Sequence, residues 1–367
     1  MRTRSLWRLG LALAVVAALF AVATASTLAR GPRARVGNVY TLTNSPGGNE
    51  VLIFDRFNDG SIREDGSVPT GGLGSGAGLG SQGALILHEK WLLAVNAGSD
   101  DISVLNTRAS LRVYDVEPSG GDMPISVTVR GNLVYVLNAG SGNITGFRMD
   151  RDGDLTPIPG STQPLSSPNS GPAQIEFSPR GDQLIVTEKM TNLILAYPVE
   201  GGVPGAPVVT ASAGMTPFGF AFGKNRQLIV SEAFGGALNA SALSSYQLNS
   251  SGPLTTLSAS VGTQQTAACW VVVSKNGKFA YTTNTGSNSV SSYAIANDGT
   301  LTLLNNAAGM TGAGPIDMAF SHNGQYLYTA NTGDGSISAF AVNNGDGSLT
   351  PVRGSFGTVG IVGLAAR

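Results

Sequence analysis

The stretch Val134–Phe147, VYVLNAGSGNITGF, decides the fold, because close relatives of it recur from one end of the chain to the other. They are YTLTNSPGGNEVLIF from Tyr40, LAVNAGSDDISVL from Leu93, IVTEKMTNLILAY from Ile185, IVSEAFGGALNASALSSY from Ile229, YTTNTGSNSVSSY from Tyr281 and YTANTGDGSISAF from Tyr328. The polar residue closing the first half of each copy is Asn44, Asn96, Asn138, Glu188, Glu232, Asn284 or Asn331, at successive differences of 52, 42, 50, 44, 52 and 47 residues. Seven copies of several short strands each, at a period of roughly 40–50 residues, predict an all-β, seven-bladed β-propeller.

Composition agrees with many short strands joined by tight turns. The 367 residues include 50 glycines and 18 prolines, 42% are hydrophobic and only 12% are charged. The repeat spans nearly the whole chain, so one repetitive domain is expected where length alone would suggest two or three. A formal net charge of -1, with no basic stripe beyond the extreme N-terminus, excludes a nucleic-acid partner. The single cysteine, Cys269, has no partner for an internal disulfide, so the fold must rest on core burial and sheet closure.

The N-terminus reads differently. Arg2, Arg4 and Arg8 precede an apolar run from Leu9 to Thr24, and Ala23-Thr24-Ala25 supplies the small residues of a signal-peptidase site. The expected organisation is a signal peptide over 1–25, a short linker over 26–38 and the propeller over 39–367. An uncleaved anchor is the alternative. Cleavage implies a secreted or periplasmic protein with no membrane attachment afterwards, and a monomer is expected.

Each copy parses alike. In the last full one, Pro315–Phe320 is an inner strand, Tyr326–Ala330 a second and Ser336–Val342 a third, with a variable fourth strand outermost. Asn276-Gly277, Asn323-Gly324, Asp298-Gly299 and Asp346-Gly347 supply turn residues that tolerate positive φ. The C-terminal IVGLAA, from Ile361, resembles an inner strand with nothing after it but Arg367, whereas the N-terminal copy lacks an inner strand. The two ends should therefore pair and close the ring. Two irregular regions remain: the glycine-rich Gly71–Gly83, expected to be a flexible loop over one face, and an insertion at Phe234–Ala242.

Side chains alternate along a strand, which sorts the inner strands by face. Leu85, Val127, Ile175, Phe220, Val271, Met318 and Leu364 should face the core. The opposite set should line the central channel, with Gln174, Glu176, Trp270 and Asp317 as its candidate substrate-binding residues; Glu176 and Asp317 are its only carboxylates. At the mouth, Asn138 and Asn284 either cap the following turns or touch substrate. Glu188 and Glu232 replace the repeated asparagine in adjacent copies. With Glu176 they are expected to converge on one sector, where the glutamates would serve as general acid and base beside Lys189. No cofactor is required for that chemistry, and a divalent cation is an alternative occupant of three carboxylates. His88 and His322 fall in turns on the opposite face, which removes a histidine-ligated zinc site and a Ser-His-Asp triad.

The stretches GPIDMAFSHNGQYLYTANTGDGSISAFAVNNGDGSLT at Gly314 and VVVSKNGKFAYTTNTGSNSVSSYAIANDGTLT at Val271 resemble the blades of the seven-bladed β-propeller lactonase family, which includes 6-phosphogluconolactonases and carboxymuconate lactonising enzymes. That likeness runs from about Val39 to Arg367. It implies hydrolysis or formation of a small lactone or sugar-acid ligand at the channel mouth; the alternative is a non-catalytic propeller binding a small molecule, cell-wall component or protein. Where such enzymes carry a His-Pro-Arg-His type inner strand, this chain has GPAQIEF at Gly171 and TPFGFAF at Thr216. Where they carry arginine and histidine in the mouth turn, it has Thr285 and Ser287. No basic cluster remains to meet a phosphate or the carboxylates of a muconate.

Overall fold

A computed structural model describes residues 33–108 and 110–367. The expected signal segment lies outside the described residues. From Ala34 onward the chain forms one unit made of seven antiparallel sheets. Six of them run from the inside out in chain order, starting from inner strands Leu85–His88, Pro124–Arg130, Pro172–Phe177, Pro217–Phe222, Ala268–Val273 and Pro315–Phe320, numbered blades 2 to 7. Blade 1 takes its inner strand, Val362–Ala366, from the C-terminus and its other three, Arg35–Leu42, Glu50–Phe57 and Ile62–Pro69, from the N-terminus. The ring is a closed β-propeller, and the pairing runs Val39 against Ala366 and Leu42 against Val362. The first strand begins at Arg35, inside the stretch read as linker, because Arg35 reaches Asp55 in an ion pair at 2.5 Å while Asn38 pairs with Asp55 across the ladder.

The expected core-facing set is buried at all seven inner strands, with no member more than 4% exposed. Interdigitated between neighbouring sheets, these side chains give the burial that must hold a protein without disulfides together. A recurring tyrosine on the second strand adds a polar tie between blades. Tyr135 of blade 3 donates to the Gly202 carbonyl in the outer turn of blade 4 at 2.7 Å, and Tyr281 of blade 6 does the same to Gly347 of blade 7 at 3.0 Å. Tyr328 of blade 7 reaches Gly60 of blade 1 at 2.9 Å, so the tie also crosses the seam where the two chain ends meet. All three rings are fully buried, so each hydroxyl needs that carbonyl. Gly60 must be glycine on two counts: its φ is +80°, and a Cβ there would overlap the Tyr326 ring at 2.1 Å.

Candidate functional site: a channel closed at one end

The inner strands carry two tiers of channel-facing residues. The tier near the strand starts, Ala84, Ser126, Gln174, Trp270 and Asp317, is buried, whereas Ile86, Glu176, Ala221, Val272 and Ala319 one step further on are partly exposed. The glycine-rich segment causes the difference. The first half of Gly71–Gly83 lies over the face, as its composition suggested, hydrogen-bonded to the turns at Asn44 and Gly98, with Leu73 exposed; Leu79–Gly83 then descends into the channel. Glycine lets the first half lie close to blade 1: a Cβ at Gly74 would stand 2.1 Å from the backbone of Asn44. Beneath it, Gln82 spans the channel, its amide nitrogen donating to Val271 O at 2.8 Å and its amide oxygen accepting from Val271 N at 3.0 Å.

Several expected ligand groups are committed to this arrangement. The Trp270 indole nitrogen donates to Ser81 O at 2.8 Å, and its ring packs on Phe218 at 5.0 Å, so it does not present a stacking face to the channel. Lys189 donates to the carbonyls of Gly80 and Pro172, with its ammonium 4.7 Å over the Phe218 ring. Burial pushes its pKa down to about 8, and among the described residues no carboxylate lies within ion-pair distance of it.

Outside blade 1 the repeated polar position ties the second strand to neighbouring strands and turns; in blade 1 Asn44 instead donates to Ser75 and to the Ala77 carbonyl of the glycine-rich segment. Asn284 donates to Ser289 and Ser291 on the third strand at 3.0 and 2.8 Å, and Asn138 to Asn143 at 2.8 Å. Both are fully buried and tie the second strand to the third through their amide nitrogens, while their Oδ1 atoms have no hydrogen-bond partner and do not cap the turn. Glu188 and Glu232 occupy the same place with the polarity reversed. Glu188 accepts from the Ser166 amide at 2.9 Å, the Ser166 hydroxyl and the Thr191 hydroxyl at 2.6 Å. Glu232 accepts from Gly214 N at 2.8 Å, Ser244 at 2.5 Å and Ser260 at 2.6 Å. Burial raises the Glu232 pKa against the pull of those donors.

Neither carboxylate reaches solvent, since both are 0% exposed, so the expected sector of three converging carboxylates does not assemble. Among the described residues no three His, Cys, Asp or Glu side chains are grouped to hold a metal ion. Glu188→Ala is therefore expected to destabilise the fold by about 1–2 kcal/mol, because three hydrogen bonds to a carboxylate are lost while the exposed Ser166 and half-buried Thr191 can turn to water. Glu188→Gln, which keeps one acceptor oxygen, should lose less, as urea denaturation of both variants would show.

What stays open is the other end of the channel. A cavity of about 340 Å³ is walled there by Ile86, Thr128, Gln174, Glu176, Asp317 and Ala319, floored by Gln82 and Gly83, and bordered at its rim by His88. Gln174 and Glu176 alternate on one inner strand and point inward together. Gln174 bridges to blade 5, donating to Phe220 O at 3.0 Å and accepting from Phe220 N at 2.6 Å. Its nitrogen also donates to Glu176 at 3.0 Å. Burial raises the Glu176 carboxyl to about 8, with only that amide opposing. Asp317 is raised to about 7 by burial and accepts from the backbone amides of Met318 at 2.9 Å and Gly83 at 3.3 Å. The Thr128 hydroxyl oxygen accepts from Phe177 N at 3.3 Å, which leaves its proton for a ligand. Sequence reasoning named these carboxylates but set Glu188 and Glu232 ahead of them, because only tertiary contacts distinguish a staple from a wall.

With blades, closure and channel in view, comparison with known proteins is informative. Residues 236–362 match the family described as lactonase, 7-bladed beta-propeller. This is the family that the repeats resemble. No curated protein matches the chain by sequence. Among solved structures, this lactonase-like propeller is similar to a Lactobacillus plantarum protein at TM-score 0.73 and 17% identity, covering 90% of this chain and 99% of that one. It is similar to the periplasmic gluconolactonase of Pseudomonas aeruginosa at TM-score 0.68 and 17% identity, with 89% and 98% covered. A Bacteroides fragilis protein, provisionally a 6-phosphogluconolactonase, superposes at TM-score 0.69 and 20% identity, with 89% and 97% covered. Identities this low speak for the shared propeller, and the chemistry must be argued from the site. No helix among the described residues is long and apolar enough to cross a membrane.

Proposed function

We propose that this lactonase-like propeller works outside the cytoplasm and hydrolyses a small uncharged lactone in the open end of its channel, with Glu176 as general base. The observation that carries the reading is the Glu176 carboxyl, set in the wall of an open 340 Å³ cavity, raised to about 8 and faced by an amide in place of a cation. In its ionised form Glu176 removes a proton from a water attacking the lactone carbonyl, and the Thr128 hydroxyl donates to the oxyanion. As the ring C–O bond breaks, the proton on Glu176 passes to the leaving alkoxide, giving a hydroxy acid and restoring the carboxylate. The product's new carboxylate stands beside Glu176 and Asp317 with no lysine or arginine lining the cavity, which favours its release. For the same reason phosphorylated or carboxylated lactones should be poor substrates.

The test is turnover of the purified protein on a panel of neutral and phosphorylated lactones, with and without added calcium, magnesium and manganese, beside Glu176→Gln. Turnover of neutral lactones, lost in the variant, is the expected result. Saturable binding of a lactone with no turnover by either protein would replace the enzyme with a small-molecule receptor. Equal turnover by both would remove Glu176 from the chemistry.

A further inference from the structure

We propose that Leu79–Gly83, the buried end of the glycine-rich segment, is a built-in stopper that seals the channel on the side where the second strands end, so ligands enter and leave only by the opposite end. Gln82 is its crossbar and Lys189 its clasp. The segment is hydrogen-bonded to four inner strands around the ring. Gln82 N donates to Ala173 O of blade 4 at 3.0 Å, and Ser126 of blade 3 donates to Gln82 O at 2.7 Å. The Gln82 amide pairs with both backbone groups of Val271 in blade 6, much as a neighbouring strand would, and Gly83 N is bound by Asp317 of blade 7. Blade 5 yields space for it: a Cβ on Gly219 would stand 2.2 Å from the Gln82 amide oxygen.

Three features separate a seal from a loop at rest on a face. Leu79, Ser81 and Gln82 are at most 8% exposed. The stopper answers backbone groups that the inner strands would otherwise leave unpaired over the channel, and those are costly to bury alone. Lys189, a desolvated cation without a counter-ion, is tolerated only because the carbonyls of Gly80 and Pro172 face it, and one of these belongs to the stopper. Among described charged and titratable groups, the Cys269 thiol, itself raised to about 12 by burial, is the one that acts electrostatically on Lys189.

The hydrolytic reading could fail and the seal still hold, so the test reads access and leaves turnover aside. Hydrogen exchange should find Gln82 and its flanking amides at least 100-fold slower than an unstructured chain. In a Trp7→Phe, Trp91→Phe background Trp270 is the one remaining indole of the three tryptophans, and acrylamide should quench it weakly. Gln82→Ala should speed exchange over 79–83 at least 10-fold and make Trp270 at least 3-fold more quenchable, with the other blades unchanged. Gln82→Asn, one methylene too short to reach Val271, should do the same and serves should the alanine variant not fold. Exchange of 79–83 at the free-chain rate, free quenching of Trp270 in the parent, or no response to either substitution would overturn the proposal.

Discussion

A chain lacking Ile361–Arg367 is expected not to reach a cooperatively folded state, although it loses only seven residues. Those residues supply the whole inner strand of blade 1, and Ile361, Val362 and Leu364 are each at most 4% exposed. At roughly 1.5–3 kcal/mol per buried aliphatic side chain, their loss approaches the roughly 5–15 kcal/mol by which a typical domain is stable. Further ties go with them. Thr41 donates to Gly363 O at 2.7 Å, Arg56 to Arg367 O at 2.7 Å, and the Arg367 guanidinium to the Thr107 hydroxyl of blade 2 at 2.7 Å. The truncation leaves the edge of Arg35–Leu42 unpaired, an invitation to aggregate. Circular dichroism and size-exclusion chromatography should show no cooperative melt and a large soluble aggregate. Removing Arg367 alone should lower Tm by only a few degrees. A cooperative melt of the seven-residue truncation close to the parent's would mean that the remaining blades, tied across the seam by Tyr328 to Gly60, close the ring unaided.

That closure was legible in the sequence, because an inner-strand pattern with no successor at one end and a copy without an inner strand at the other leave few arrangements. Period-two alternation likewise placed Leu85 through Leu364 correctly, since it depends on strand geometry alone. The descent of Leu79–Gly83 into the channel was not legible. Glycine-rich composition says that a chain can move or approach closely, and only contacts decide between the two; here Asn44, Gly219 and Val271 decide for close approach. The repeated polar position misled for a related reason. Asparagine donating to Ser291 and glutamate accepting from Ser244 tie strands together with opposite polarity, so Glu232 looks like an exception in sequence while doing the same job in space. Glu176, by contrast, has a single side-chain partner and an open cavity before it, and it is the carboxylate that strand-tying leaves unexplained.

This difference sets up the second large effect, in which Glu176→Gln should lose activity and gain stability in the same molecule. The carboxyl is raised from 4.5 to about 8 in the folded state. Between those values the folded protein keeps a proton that the unfolded chain releases, so wild-type stability falls as pH rises through about 4.5 to 8 and is level above. The glutamine variant has no proton to release there. The stability difference between variant and wild type should therefore be small at pH 4, grow through that window and be greatest near pH 9. Asp317, raised from 3.8 to about 7, adds a slope of the same sign to both proteins and cancels in the difference. Activity should move the other way: lactone hydrolysis rises with pH as Glu176 ionises, with a midpoint near 8, and the variant loses on the order of 10²–10⁴-fold, the usual worth of a general base. Urea denaturation and initial rates, each measured from pH 5 to 9, check both halves. A wild-type rate flat across that range would deny Glu176 the role of base, while a flat stability difference would mean that its carboxyl ionises in the folded channel as it does in water.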